Sequence, residues 1–316
     1  MGVFHAAKLA KTNDVDFIGC YDAVSEKAEK TASKYNCASY KSIAEIADDV
    51  EAVLIAVPTQ NHLECSLPFL EKGIAVLVEK PIASDIGSAE KIVKTANENN
   101  AVLQVGHSER FSSVYRAVRE RILNPRFVET HRLAPFKARG HDVAVILDLM
   151  IHDIDLLLDL TGEEPAMIEA VGVPVITDTF DIVNARLTFP SGCVANITSS
   201  RISVKEMRKL RVFQESGYIS MDMASAKLES FSLVNSDSPM AKKAGLFSRM
   251  KLPDGRLIVK DNIKVKQADN LQSEIDSFIG AIKGEHPPLV SGEDGLSALK
   301  VAKRIEELCM SYQSSL

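Results

Sequence analysis

Residues 51–81, EAVLIAVPTQNHLECSLPFLEKGIAVLVEKP, decide the fold class. Glu51–Val57 and Ala75–Val78 are continuous apolar runs of strand length. Such runs suit strands covered on both faces, as in parallel sheets. Asn61–Glu71 between them carries a helical pattern, so the stretch reads as two parallel strands joined by a crossover helix.

The alternation extends to both sides. Upstream, Gly2–Lys11 reads as a helix, Val15–Tyr21 as a strand and Ser25–Tyr35 as a helix; downstream, Asp85–Asn99 reads as a helix and Val102–Gly106 as a strand. The expected fold class is α/β, with a Rossmann-type doubly wound parallel sheet over residues 1–107. From residue 108 a helix at Ser112–Leu123, a strand at Phe127–Leu133 and an apolar helix at 142–160 are expected. Alternating segments follow in close succession: Met167–Val175, Ile182–Phe189, Val194–Ser200, Leu210–Gln214, Tyr218–Met223 and Lys227–Leu233. They predict a second α+β domain, 108–316, on a mixed and largely antiparallel sheet. The polar stretch Asn235–Gly255 is expected to be a mobile loop. Helices near 270–283 and 294–312 close the chain, the last one free to pack back on the first domain.

The 316 residues carry 37 Lys+Arg against 43 Asp+Glu, a net charge of −6, which argues against a nucleic-acid or anionic-membrane surface. No apolar run reaches the ~18 residues of a membrane span, and no secretory leader is evident. The five cysteines (Cys20, Cys37, Cys65, Cys193 and Cys309) form no C-x-x-C pair. Reduced thiols in a cytoplasmic protein without a metal site are expected.

Candidate chemistry lies at the ends of the predicted strands. Asp22 follows Val15–Tyr21, where an acid in a dinucleotide fold accepts hydrogen bonds from ribose hydroxyls and repels a 2′-phosphate. This favours NAD over NADP; a turn aspartate capping the next helix explains the residue equally well. Pro58 and Thr59 end the next strand at its carboxyl edge, and His62 opens the following helix, positions that suit cofactor contact or plain turn formation. Glu79-Lys80-Pro81 ends the third strand. A lysine beside a positive nicotinamide ring would have its ammonium form disfavoured and would polarise a substrate hydroxyl. In residues 144–160, twelve of seventeen are apolar, and Asp148, His152, Asp155 and Asp159 fall on one stripe. Asp155 and Asp159 read as a solvated face. Asp148 and His152 read as pocket residues, with Asp148 orienting an imidazole that takes a proton from an alcohol. His107, Arg110, Lys137 and Arg139 are candidate substrate contacts, although a surface role suits each of them too.

Taken in order, Glu79-Lys80-Pro81, Gly106-His107-Ser108-Glu109-Arg110-Phe111 and Asp148-x-x-x-His152 resemble the glucose–fructose oxidoreductase / inositol dehydrogenase / MocA family across nearly the whole chain. The resemblance implies NAD-dependent oxidation of a secondary hydroxyl on a sugar or nucleotide sugar. It implies Lys80 near the nicotinamide, Asp148 and His152 at the substrate hydroxyl, and cofactor contacts at Gly2, Asp22, Pro58, Thr59, His62, Glu79 and Lys80. The segment Arg132-Leu133-Ala134-Pro135-Phe136 through Asp148-Leu149-Met150-Ile151-His152-Asp153 looks most like members that oxidise the 3-hydroxyl of UDP-N-acetylglucosamine. A polyol dehydrogenase and a non-catalytic sugar or nucleotide sensor on the same scaffold are the alternatives. A homo-oligomer, a dimer or tetramer, is expected.

One departure stands out. The family opens with a strand and a Gly-x-Gly-x-x-Gly-like turn leading into Met-Gly-x-x-His, and this sequence opens at Met1-Gly2-Val3-Phe4-His5. Met1 is therefore expected to be an internal methionine of a longer chain. Losing about five buried apolar residues forfeits on the order of 10 kcal/mol. The predicted strands Val15–Tyr21 and Glu51–Val57 then either pair directly or leave an open slot. The slot is the favoured outcome, because helices on both faces hold these strands about 9–10 Å apart. Weak nucleotide binding is expected in either case.

Overall fold

The computed structural model describes residues 1–136, 143–245, 248–261 and 263–314. They divide into two compact units, Met1–Phe111 with Asp269–Leu299, and Ser112–Ala268 with Lys300–Leu316. The chain thus leaves its first unit after Phe111 and returns to it over Asp269–Leu299 before leaving it again.

The first unit contains α1 (Gly2–Leu9), β1 (Gly19–Cys20), α2 (Ser25–Tyr35), β2 (Ala38–Ser39), α3 (Ile43–Ile46), β3 (Ala52–Ile55), α4 (His62–Leu70), β4 (Ala75–Glu79), α5 (Ile86–Glu98) and β5 (Leu103–Gly106). Strands β3, β4 and β5 form one parallel sheet with β4 in the centre. Every residue of β4 is buried, and Val76, Leu77 and Val78 have no exposed surface, which is why the run is apolar without alternation. The Asp85 side chain accepts from the Ser88 amide and starts α5. Gly106 permits the close approach of β5 to β4, since a Cβ there would lie 3.2 Å from the Glu79 Cα.

β1 and β2 make a separate two-stranded parallel sheet, and β1 and β3 do not pair. No described strand pairs with both β1 and β3. With a neighbour on one side only, the predicted strand Val15–Tyr21 is reduced to Gly19–Cys20. On α1, His5 and Ala6 are buried, while Val3 and Phe4 are 65% and 66% exposed.

The second unit holds α6 (Ser113–Arg116), β6 (Pro125–Leu133), α7 (Ile151–Thr161), β7 (Met167–Val173), β8 (Ile182–Thr188), β9 (Val194–Ser200), β10 (Met207–Gln214), β11 (Gly217–Asp222), β12 (Lys227–Val234), α8 (Pro239–Lys243), β13 (Arg249–Lys251) and β14 (Leu257–Lys260). Nine strands form one sheet in the order β13-β14-β12-β11-β10-β6-β9-β8-β7, with β6 and β9 parallel and every other pair antiparallel. The expected helix Ser112–Leu123 stops at α6, because Val118 leaves helical geometry with φ −126°, and only a short 3-10 turn follows at Arg119–Arg121. The expected loop Asn235–Gly255 is largely ordered. Ser238 caps α8 ahead of Pro239, and Ala241 packs with Leu257 and Val259 in a small apolar cluster. Of the closing helices, α9 (Asn270–Ile282) belongs to the first unit, and α10 (Gly292–Ser314) runs from the first unit into the second. No helix among the described residues is long and apolar enough to cross a membrane.

Candidate active site

The first unit gathers its candidates at the carboxyl ends of its parallel strands. Asp22 lies just past β1 with an exposed side chain whose Oδ1 accepts from the Val24 amide at 2.9 Å. The contact closes a turn before α2, which has no side-chain cap, so the helix-capping role weighed from the sequence is not what Asp22 plays; it commits one of the two carboxylate oxygens. Pro58 is exposed and Thr59 half-buried beyond β3. Gly2 starts α1 with room around it, since the nearest atom to a Cβ built there is the Ala56 Cβ at 4.0 Å. The Phe4 amide is taken up by the Met1 carbonyl at 2.8 Å, and the helix start carries the positive end of its dipole. The exposed Asp22 carboxylate and the strand ends are the groups of this unit that could meet an adenine dinucleotide, but no glycine turn precedes Gly2 in this sequence to offer the amide cradle, which agrees with the weak nucleotide binding expected above.

His62 is 1% exposed, and its two ring nitrogens lie 3.0 Å from the Val57 carbonyl and 2.9 Å from the Pro81 carbonyl. Burial pushes its pKa down, against the pull of both carbonyls, so the neutral ring donates to one of them at a time. Its place is therefore a strut tying the loop after β3 to the loop after β4. Lys80 is half-buried, and the Lys80–Pro81 peptide is cis. Glu79 turns inward from the same strand end, where its Oε1 lies 2.6 Å from the His5 Nε2. Glu274 on α9 lies close enough to Glu79 to feel its charge; it is 1% exposed, and neither carboxyl oxygen has a hydrogen-bond partner. Burial first, and then the Glu79 charge, push the Glu274 pKa well above the ordinary glutamate value, which favours the protonated acid. The Gln104 amide donates to the Glu274 main-chain carbonyl at 3.0 Å. None of His5, Gln104 and Glu274 was a candidate from the sequence. The one available signal was a polar residue inside each apolar pattern.

The proposed substrate contacts fare differently. His107 has no exposed surface, and Arg110 is 6% exposed with its guanidinium 3.7 Å from the Asp294 carboxylate. The turn that carries Arg110, Ser108–Phe111, packs against α9 and buries its last three residues. Lys137 and Arg139 lie outside the described residues.

In the second unit Asp148 and His152 are half-buried. Asp148 belongs to a π-helical turn, Ile146–Met150, and His152 to the first turn of α7, so the expected single α-helix changes its winding between them. The stripe continues as expected from its spacing, but not as a solvated face. Asp155 is 1% exposed, and Asp159 accepts from the Tyr115 hydroxyl and from the Arg119 Nε at 2.7 Å. The residue after His152, Asp153, is buried against Arg132 of β6. All five cysteines are free, and burial pushes the Cys20, Cys193 and Cys309 thiols up to about 11. The described residues contain no cluster able to hold a metal ion.

Residues 1–107 match the oxidoreductase family with an NAD-binding Rossmann fold, and residues 116–220 match the GFO/IDH/MocA C-terminal domain. A UDP-N-acetylglucosamine 3-dehydrogenase of Acidithiobacillus ferrooxidans is 32% identical over 306 residues, spanning 96% of this chain and 93% of the relative. Its crystal structure superposes with a TM-score of 0.87 over 98% of this chain and 95% of that one. An inositol 2-dehydrogenase of Rhizobium meliloti is 27% identical over 96% of this chain and 92% of its own. Lactobacillus casei scyllo-inositol dehydrogenase with bound NAD(H) and scyllo-inositol, at 18% identity and a TM-score of 0.77, shares the fold. With the parallel unit, the mixed-sheet unit and this similarity along almost its full length, the chain belongs to the Gfo/Idh/MocA family of NAD-dependent oxidoreductases.

Proposed function

We propose that this chain oxidises a secondary hydroxyl of a sugar with NAD as hydride acceptor, and that its substrate is UDP-N-acetylglucosamine at the 3-hydroxyl. The observation that carries this reading is the 32% identity to a UDP-N-acetylglucosamine 3-dehydrogenase along nearly all of both chains. NAD, when bound, supplies the acceptor for the hydride, and the protein supplies geometry and proton transfer. Asp22, the start of α1 at Gly2, Pro58, Thr59 and Glu79 would hold it, with His62 setting the loop that carries Thr59. His152 takes the proton from the substrate hydroxyl, Asp148 orients the imidazole or a neighbouring hydroxyl, and Lys80 polarises the oxygen as charge develops on it.

Turnover of UDP-N-acetylglucosamine, myo-inositol and glucose, ranked by kcat/KM, tests the substrate; activity confined to free polyols would select the inositol-type reading that the Rhizobium meliloti relative supports. Lys80→Ala and His152→Ala are each expected to cut turnover by at least ~10²-fold with the fold retained. NAD is expected to outperform NADP, and Asp22→Ser to raise the KM for NAD by about tenfold.

Two coarser expectations accompany this reading. The five cysteines, free and widely spread along the chain, suit residence in a reducing cytoplasm. Phe127, Phe213, Tyr218 and Phe231 are cross-strand neighbours on one face of the large sheet, and Phe213 is 38% exposed. That aromatic row suits a homodimer through the sheet face, which sedimentation of Phe213→Glu against the parent chain would test.

A further inference from the structure

We propose that the buried Arg132–Asp153 ion pair is the device that positions His152, a role that rests on the reading of His152 as the general base. The pair joins two elements of one unit. Inward positions of β6 alternate as Val128, Thr130 and Arg132, so Arg132 projects from the buried face of the strand, where α7 packs. Its Nε donates to Asp153 Oδ2 and its Nη2 to Asp153 Oδ1, both at 2.9 Å. The side chains are 4% and 2% exposed. This is the two-pronged arrangement that a planar guanidinium makes with a carboxylate, and it fixes orientation as well as distance.

Stability alone is a poor reason for such a pair. Two charges lose their water, and apolar side chains of similar volume at such sites often leave a protein as stable or more so. Fixing a registry is the better-attested use of buried charge, and here there is a registry to fix. Asp148 and His152 lie on opposite sides of the junction between the π-turn Ile146–Met150 and α7. A π-turn is wider than the α-helix it interrupts, is rare, and recurs at functional sites. Where it ends decides how far α7 is rotated, and hence the direction in which His152 leaves the helix relative to Asp148. Asp153 is the residue immediately after His152, so anchoring it to β6 sets the rotation of α7 at the base itself.

The double variant Arg132→Met/Asp153→Leu replaces the pair with apolar bulk and separates positioning from stability. It is expected to unfold near the parent midpoint, to lose ~10- to 100-fold in kcat with KM little changed, and to shift the NMR titration of His152. A folded double variant with parental kcat and parental His152 titration would overturn the proposal. Should the double variant not fold, Asp153→Asn carries the test, because it keeps shape and one acceptor but loses the matched fork. A lower unfolding midpoint with unchanged kcat and unchanged His152 titration would mark the pair as structural only. His152→Ala separates the two readings. If that variant retains turnover, the general-base assignment fails. If it loses turnover while Arg132→Met/Asp153→Leu does not, only the positioning role fails.

Discussion

In the first unit Glu274 is 1% exposed with no hydrogen-bond partner on either oxygen, whereas in the second unit Asp153 and Asp181, equally enclosed, are each held by an arginine. Asp181 goes further: its Oδ2 accepts from the amides of Val175, Ile176 and Thr177 at 2.8, 2.6 and 2.9 Å, and its Oδ1 accepts from the Arg201 Nε at 2.8 Å. Burial alone would raise its pKa, but the surrounding amides and the Arg201 guanidinium outweigh burial and hold it far below the carboxylate range. A similar loss of exposed surface therefore has opposite outcomes. An acid surrounded by donors stays charged and orders a loop, and an acid beside another acid without donors takes up a proton.

The contrast is broken most directly at Asp181. Asp181→Ala leaves Arg201 buried without its carboxylate, and is expected to cost about 3–5 kcal/mol in denaturant unfolding. The pH dependence has a definite sign. A depressed folded pKa contributes stability above the ordinary aspartate value and loses it as pH falls towards the folded value, so the variant should differ most from the parent near neutrality and least in strong acid. A loss no larger than that of an exposed ion pair would mean that the amides and Arg201 do not act as one network.

Glu274→Gln sharpens the other side of the comparison. A raised folded pKa favours the native state fully below the ordinary glutamate value, and that advantage fades as pH climbs towards the folded value. The variant cannot ionise, so its melting temperature should fall less between weakly acidic and mildly alkaline pH than that of the parent. Parallel melting curves across that range would show that Glu274 is charged in the folded protein, and the unpaired-acid account would fall. The smallest effect belongs to Lys8→Ala. It removes a partly exposed contact of 2.6 Å to Asp269, with side chains 29% and 52% exposed, and should change unfolding by no more than about 0.5 kcal/mol. A larger loss would put α1 and α9 under a coupling that surface charge does not explain.

Legibility from sequence follows the same division. The strand around Leu77 was readable because full burial demands an uninterrupted apolar run, those around Leu54 and Val105 because short, mostly apolar runs flank it, and Ser25–Tyr35 was readable to the residue. Lys80, Asp148 and His152 stood out through their order along the chain. Asp155 and Asp159 were misjudged as a solvated face, because spacing shows which residues share a stripe and not what covers it. The loop 235–255 was misjudged because α8 and β14 are held by one small cluster that has no strong local pattern.

The sequence by itself determined the α/β class, the mixed-sheet second unit, the family and the strand-end setting of Lys80, since all of these are written in local periodicity and short motifs. Only the tertiary structure decided which charges are paired. Arg132 and Asp153 are 21 positions apart, and Glu79 and His5 are 74 apart. Whether a buried group finds a donor there, an acceptor or nothing depends on which segments the fold brings together, a long-range outcome that no local pattern encodes.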